Sequence, residues 1–202
     1  SHLFPSQYLK KYKEEIEKIT QKIVKEFEII NGPIYFQFLI GKKGIKVNEI
    51  ACRIGGAYEG DFMPELTGVD ILKMMVELAA GQKVDKTALT NYSLQDNSNY
   101  LSSQLFFAGP GKISKVTEIS RILKLPGVLK AGLNYETGNI IPEIENATAR
   151  AGYFIVLAEN KNQLQKRVEA VYDNLKIIDQ NGNNLVLREI GENFGEGPEI
   201  QL

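Results

Sequence analysis

The chain has one cysteine, Cys52, one histidine, His2, and no tryptophan. A lone cysteine excludes an internal disulfide and agrees with a reducing compartment. With the single histidine at the second position, a Ser-His-Asp triad or a histidine-rich zinc site is all but excluded. No apolar run approaches the roughly 18 residues that a membrane span needs, and no charged-then-apolar leader is present. The expected location is therefore cytoplasmic. Charge of one sign is lacking too: 24 basic against 25 acidic residues leave a net charge of −1. No global field gathers nucleic acid or an anionic membrane, so neither is an expected partner. Any anionic ligand must be caught locally. What remains is an ordinary globular composition of 202 residues, 43% apolar and 24% charged, enough for one large or two small domains. Its chemistry falls to carboxylates, Arg, Lys and backbone amides.

The pattern along the chain is mixed, an α+β reading. From Ser6 to Ile30, the residues Tyr12, Ile16, Ile19, Ile23 and Phe27 recur at helical spacing, and Asn31-Gly32-Pro33 stops the helix. Ile34 to Ile40 and Ile45 to Ile50 read as two strands of a hairpin turned by Gly41-Lys42-Lys43-Gly44. Arg53 to Pro64 lacks periodicity and reads as a shaped loop. Thr67 with Asp70 resembles a capping box for a helix over Val69 to Ala80 that Gly81 closes. The polar stretch that follows divides the chain into residues 1–83, a connection over 84–99, a second α+β domain over 100–190 and a flexible tail over 191–202. In the second domain, strands are expected at Leu101 to Phe107, Gly111 to Val116, Val128 to Leu133 and Tyr153 to Ala158. Helices are expected at Glu118 to Leu125 and Lys161 to Leu175. A closing hairpin is expected from Leu175 to Asp179 and Leu185 to Glu189 around Asn181-Gly182-Asn183.

In the hairpin, alternation puts Gln37 on one face with Tyr35 and Leu39, and Glu49 ends the facing strand. Both polar groups can open onto one cleft, where Glu49 is a hard oxygen ligand for Mg²⁺ and Gln37 a weaker neutral one. The bland alternative is a solvated Glu at a strand end. In Cys52-Arg53-Ile54-Gly55-Gly56 the guanidinium fork can hold a carboxylate or phosphate while glycine backbone lets it approach. Taken alone, an Arg-x-Gly-Gly turn is as readily structural.

From Gly32 to Gly81 these motifs follow one another in an order that resembles the last part of an ATP-grasp fold, as in biotin carboxylase, the carboxylase-type purine enzymes and the amino acid ligases. The elements are Gly32-Pro33, Gln37-Phe38-Leu39, Asn48-Glu49-Ile50-Ala51-Cys52-Arg53, Gly55-Gly56 and Leu66-Thr67-Gly68-Val69-Asp70. The resemblance implies the carboxyl-terminal lobe of an ATP-grasp fold, an antiparallel sheet with helices, followed by a smaller α/β carboxyl-terminal domain. It implies a carboxylate-amine, or carboxylate-thiol, ligase that uses Mg-ATP and an acyl phosphate, with Mn²⁺ as a substitute metal. Its substrates would be a small-molecule carboxylate and an amine, and a homodimer is allowed.

Residue by residue, the resemblance makes Glu49 a Mg²⁺ ligand, Gln37 the neutral occupant of a second metal position and Leu39 part of the adenine pocket. Arg53 steadies the carboxylate or acyl phosphate, and Gly55 and Gly56 form the substrate-side loop. Glu59 and Asp61 can take the substrate amine, against a reading as solvated loop charges. Arg150, in Asn146-Ala147-Thr148-Ala149-Arg150, can approach the cleft, against pairing with Glu143 or Glu145. Ala51 stands where one form of the motif has a further metal-binding Asn. The phosphate-covering glycine-rich loop and the lysine pair of a whole ligase are not found. The chain is therefore expected to be part of a longer protein, inactive alone; the alternative is a non-catalytic binding or scaffold module derived from the same fold.

Overall fold

The computed structural model describes residues 1–92 and 99–188. It divides into two compact units: residues 5–92, and residues 1–4 with 99–188.

In the unit that begins at Pro5, helix α1 (Leu9–Glu26) turns a half-buried stripe of Tyr12, Ile16, Ile19 and Ile23 to one side. The helix is shorter than Ser6 to Ile30. Glu28 takes a left-handed conformation at φ 52°, and Ile29 N–H returns to Val24 O, so the chain leaves the helix before the expected Gly32 stop. Phe27 falls outside the stripe and is 71% exposed. Strands β2 (Tyr35–Gly41) and β3 (Gly44–Ala51) form the expected antiparallel hairpin. Past it comes a departure: Glu59–Thr67 is helix α2, not loop. Its first turn carries Glu59 and Asp61, which favour a helix N-terminus electrostatically, and Phe62 on it is buried. Pro64 and three nearby glycines hide this helix from a periodicity reading.

Helix α3 (Ile71–Ala79) is capped by Asp70, whose carboxylate accepts from Lys73 N at 2.9 Å. The expected box on Thr67 is absent. Thr67 Oγ1 instead donates to Met63 O at 2.7 Å and accepts from Val69 N at 3.0 Å, and Gly68 at φ 71° closes α2 between them. A short helix α4 (Thr87–Asn91) follows.

The other unit is built on an antiparallel sheet, in which β1 (His2–Phe4) and β10 (Val186–Leu187) pair with β4 (Tyr100–Ala108). That strand pairs with β8 (Gly152–Ala158), which pairs with β6 (Val128–Leu133). A smaller sheet joins β7 (Ile140–Ile141), β5 (Gly111–Val116) and β9 (Ile177–Asp179). Helix α6 (Lys161–Asn174) buries Leu164, Val168, Val171 and Tyr172 against a core with Phe106, Phe154 and Val156. The expected helix at Glu118 to Leu125 is the single turn α5 (Ile119–Ile122). The closing hairpin is present as a short reversal, in which Ile178 bridges Asn184, Asp179 N–H donates to Asn183 O at 3.0 Å and Leu185 N–H donates to Ile177 O at 2.7 Å; beyond it β9 pairs with β5 and β10 with β4. Around Asn181-Gly182-Asn183 the Asp179 carboxylate accepts from the N–H groups of Asn181 and Asn183, so side-chain bonds reinforce the turn. Glu189 and the tail from Gly191 lie outside the described residues, as do residues 93–98 of the expected connection.

Candidate functional site

The hairpin register sets the geometry. Gln37 lies opposite Glu49 and Tyr35 opposite Ala51, so these four side chains share one strand face, joined beyond by Leu39 opposite Lys46. Between Gln37–Glu49 and Phe38–Val47 the ladder slips by one residue at Asn48. A bulge of this kind re-aims side chains. Here it brings the Asn48 amide onto Gln37, donating to Oε1.

Arg53, just past the end of β3, folds back on that face. Its Nη2 meets Glu49 Oε1 at 3.3 Å, and its Nη1 donates to Ile54 O at 2.9 Å. The pair is about half exposed on both sides, so its Coulomb contribution is at most about 1 kcal/mol. The guanidinium also stands over the Tyr35 ring, 5.7 Å from its centroid, within the range of a cation–π contact. The Tyr35 phenol holds its proton above the ordinary tyrosine range, first because it is partly buried and then because Glu59 and Glu49 oppose a phenolate, Arg53 acting the other way.

The glycine loop leads from Arg53 into α2. Glu59 turns its carboxylate back to accept from Ala57 N at 2.7 Å. A Cβ on Gly55 would collide with that carboxylate, whereas one on Gly56 would meet open space. Gly55 is thus needed for the close approach and Gly56 is not. Tyr58, the residue before α2, is held at φ 67° and ψ 31°, a left-handed conformation that costs a bulky residue free energy and clusters at functional sites. At this loop lies an open pocket of about 330 Å³, lined by the polar Arg53, Glu59 and Asp61 and the apolar Ile54, Leu72 and Met75.

Gln37, Glu49, Arg53, Gly55 and Glu59 are therefore brought into one neighbourhood. Leu39 shares the Gln37 face and is 40% exposed. Arg150 belongs to the other unit, where its Nε donates to Ala147 O at 3.0 Å and its carbonyl accepts from Asn134. Sequence reasoning assigned no role to Tyr35, Asn48 or Tyr58. An aromatic at a strand start reads as packing, and neither a bulge nor the sign of φ is written in residue type. The clustered acids Glu59 and Asp61 are the signal that could have found α2.

Among the described residues no group of three or more His, Cys, Asp or Glu side chains is arranged to hold a metal ion. The oxygen set that faces one way, the Glu49 carboxylate and the Gln37 amide carbonyl, nonetheless suits Mg²⁺, which takes few protein oxygens when phosphates supply others. The Gln37 carbonyl keeps a second lone pair beside the one Asn48 uses.

Comparison with known proteins bears on the fold. Residues 104–179 match the L-amino acid ligase C-terminal domain 2 family. The chain is 23% identical over 152 residues to an L-arginine-specific L-amino acid ligase of Bacillus subtilis, which covers 75% of this chain and 35% of that protein. The structure superposes on an L-amino acid ligase from Bacillus licheniformis with a TM-score of 0.72 at 18% identity, over 88% of this chain and 43% of that one. With a phosphoribosylglycinamide synthetase from Anaerococcus prevotii the TM-score is 0.75 at 15% identity, over 89% and 45%. The chain thus spans under half the length of the proteins it matches, and its fold is a partial ATP-grasp fold. The resemblance to carboxylate-amine ligases drawn from Gly32 to Gly81 stands.

Proposed function

We propose that this chain supplies one wall of the active site of an ATP-dependent ligase that joins an amino acid or similar carboxylate to an amine through an acyl phosphate. The observation that carries it is the single face on which Gln37 and Glu49 stand opposite each other with Arg53 folded over them. In the reaction a carboxylate oxygen bonds to the γ-phosphorus as ADP leaves. The amine then bonds to the acyl carbon, phosphate leaves, and the amine gives up a proton.

Glu49 and Gln37 would hold Mg²⁺, whose charge supports the phosphates of ATP. Arg53 orients the carboxylate and stabilises the charge that develops on the acyl phosphate, using fork N–H groups beyond those given to Glu49 and Ile54. Leu39 offers an apolar edge to the adenine. Gly55 lets the Glu59 carboxylate sit close to the loop, and Glu59 and Asp61 put negative charge on the cavity that would receive the amine. We further propose that these 202 residues alone do not turn over ATP, because no phosphate-covering loop or lysine pair stands in the sequence.

In the longer enzyme, Glu49→Gln and Arg53→Lys are expected to lower ligation by about 10² or more. Mg-ATP binding, measured by calorimetry with each variant, separates this reading from a non-catalytic scaffold, which the neutral Gln37 and Ala51 would favour. Full ligation by Glu49→Gln, or phosphate release by the isolated chain at an ordinary ligase rate, would overturn the corresponding proposal.

A further inference from the structure

We infer that Tyr35 is the positioning residue for Arg53, its ring serving as the platform on which the guanidinium is held over the Gln37–Glu49 face. The inference rests on the reading of Arg53 as the group that binds the carboxylate or acyl phosphate. Three observations carry it. The ring centroid lies 5.7 Å from the Arg53 guanidinium carbon. The register puts Tyr35 on the same face as Gln37 and directly opposite Ala51, whose methyl group leaves the space beside the ring to the guanidinium. The remaining restraints on Arg53 are weak or shared: a half-exposed ion pair at 3.3 Å to Glu49 and one hydrogen bond to the neighbouring Ile54 carbonyl.

Glu49 is the carboxylate that the proposed function also gives to the metal, so it is not a dependable anchor for Arg53 through a reaction cycle. An aromatic face has no such second duty. It attracts a cation without donating or accepting a hydrogen bond, and it fixes the plane of the guanidinium, leaving the fork edge for a bidentate anion. The phenol oxygen is not required for this.

The test uses the 202-residue chain itself, with the Arg53 Nε–Hε resonance as reporter of ring stacking and acetyl phosphate as probe. Tyr35→Phe is expected to keep the ring-current shift of Arg53 Hε and the affinity for acetyl phosphate. Tyr35→Leu is expected to lose the shift and to bind the probe about two- to fivefold more weakly, the range of an exposed cation–π contact. Amide spectra check that the hairpin persists, and Tyr35→Val, with its β-branched side chain, serves where the Leu variant disturbs it. An unchanged Hε shift in the Leu and Val variants overturns the inference, and so does a Phe variant that behaves like Leu. The parent reading fails separately, if Arg53→Lys leaves acetyl phosphate binding as it was. In that case the Hε shift still decides whether the ring holds the guanidinium.

Discussion

In the unit built on β4 and β8, Val156, Leu164 and Ile177 are wholly shielded from solvent and share one core with Phe106 and Phe154, each 1% exposed. In the unit that carries Glu49 and Arg53, the buried apolar side chains among the described residues are Ile45, Ala57, Phe62 and Val69, while Phe27, Ile30 and Val76 are 71%, 88% and 58% exposed. The first unit is held by area removed from water. The second is held by local devices: a hairpin ladder, the Asp70 cap, the Glu59 carboxylate on Ala57 N and left-handed residues at helix ends. The difference teaches that the candidate site sits on the part of the chain with least packing to fix its side chains. Each polar or aromatic restraint there then counts for more than it would over a dense core.

The contrast breaks most directly by truncation. Phe154→Ala removes a ring that packs on Phe106 and, edge to face, on Tyr172; it should cost about 3–5 kcal/mol of stability. Val76→Ala on α3 should change stability by no more than about 0.5 kcal/mol. Urea unfolding followed by resonances of each unit compares them, and a Val76 cost equal to a core truncation would erase the distinction.

A second cut uses pH. Tyr172 is buried, its hydroxyl donates to Gln104 Oε1 at 3.3 Å, and burial pushes its pKa up to about 12, with Arg188 acting weakly against the shift. The unfolded chain ionises this phenol near pH 10. Because the folded state keeps the proton longer, the contribution is full below about pH 10 and is lost as pH rises toward about 12. Unfolding of this unit measured across that window should show the decline, and Tyr172→Phe should flatten it. Resonances of the other unit should not follow it.

The smallest effects test the local devices. Asp70→Ala should destabilise α3 by about 1 kcal/mol. Glu28→Gly should stabilise the end of α1 by a few tenths of a kcal/mol to about 1, since glycine takes a left-handed φ without steric cost. Amide hydrogen exchange in α3 and α1 reads both, and no change in either would remove the role given to caps.

Much of the hairpin was legible because alternation and the Gly41 to Gly44 turn act over neighbours in sequence. The same alternation was enough to expect Gln37 and Glu49 on one face. Helix α2 was not legible because Gly55, Gly56, Gly60 and Pro64 mask it, and tertiary burial of Phe62 outweighs their propensity. The reversal at Asn181-Gly182-Asn183 was legible because turn residues act locally, but the further pairing of its flanks with β5 and β4 was not, since turn residues do not say which other strands the flanks choose. Tyr35 was read as a strand aromatic, since a guanidinium eighteen positions away approaches its ring only once the register is closed.

The extra residue at Asn48 has a consequence for changes in chain length. Without it, the pairing of Phe38 with Val47 would run straight into that of Gln37 with Glu49, so a deletion at Asn48 is absorbed and every pair on the site face survives, less one amide. A deletion at Phe38, on the other arm, gives the opposite result: the mismatch grows from one residue to two, and Glu49 loses its place opposite Gln37. The hairpin thus carries slack on one arm only, and the arm bearing Glu49 and Arg53 is the one that can shorten without turning its side chains away.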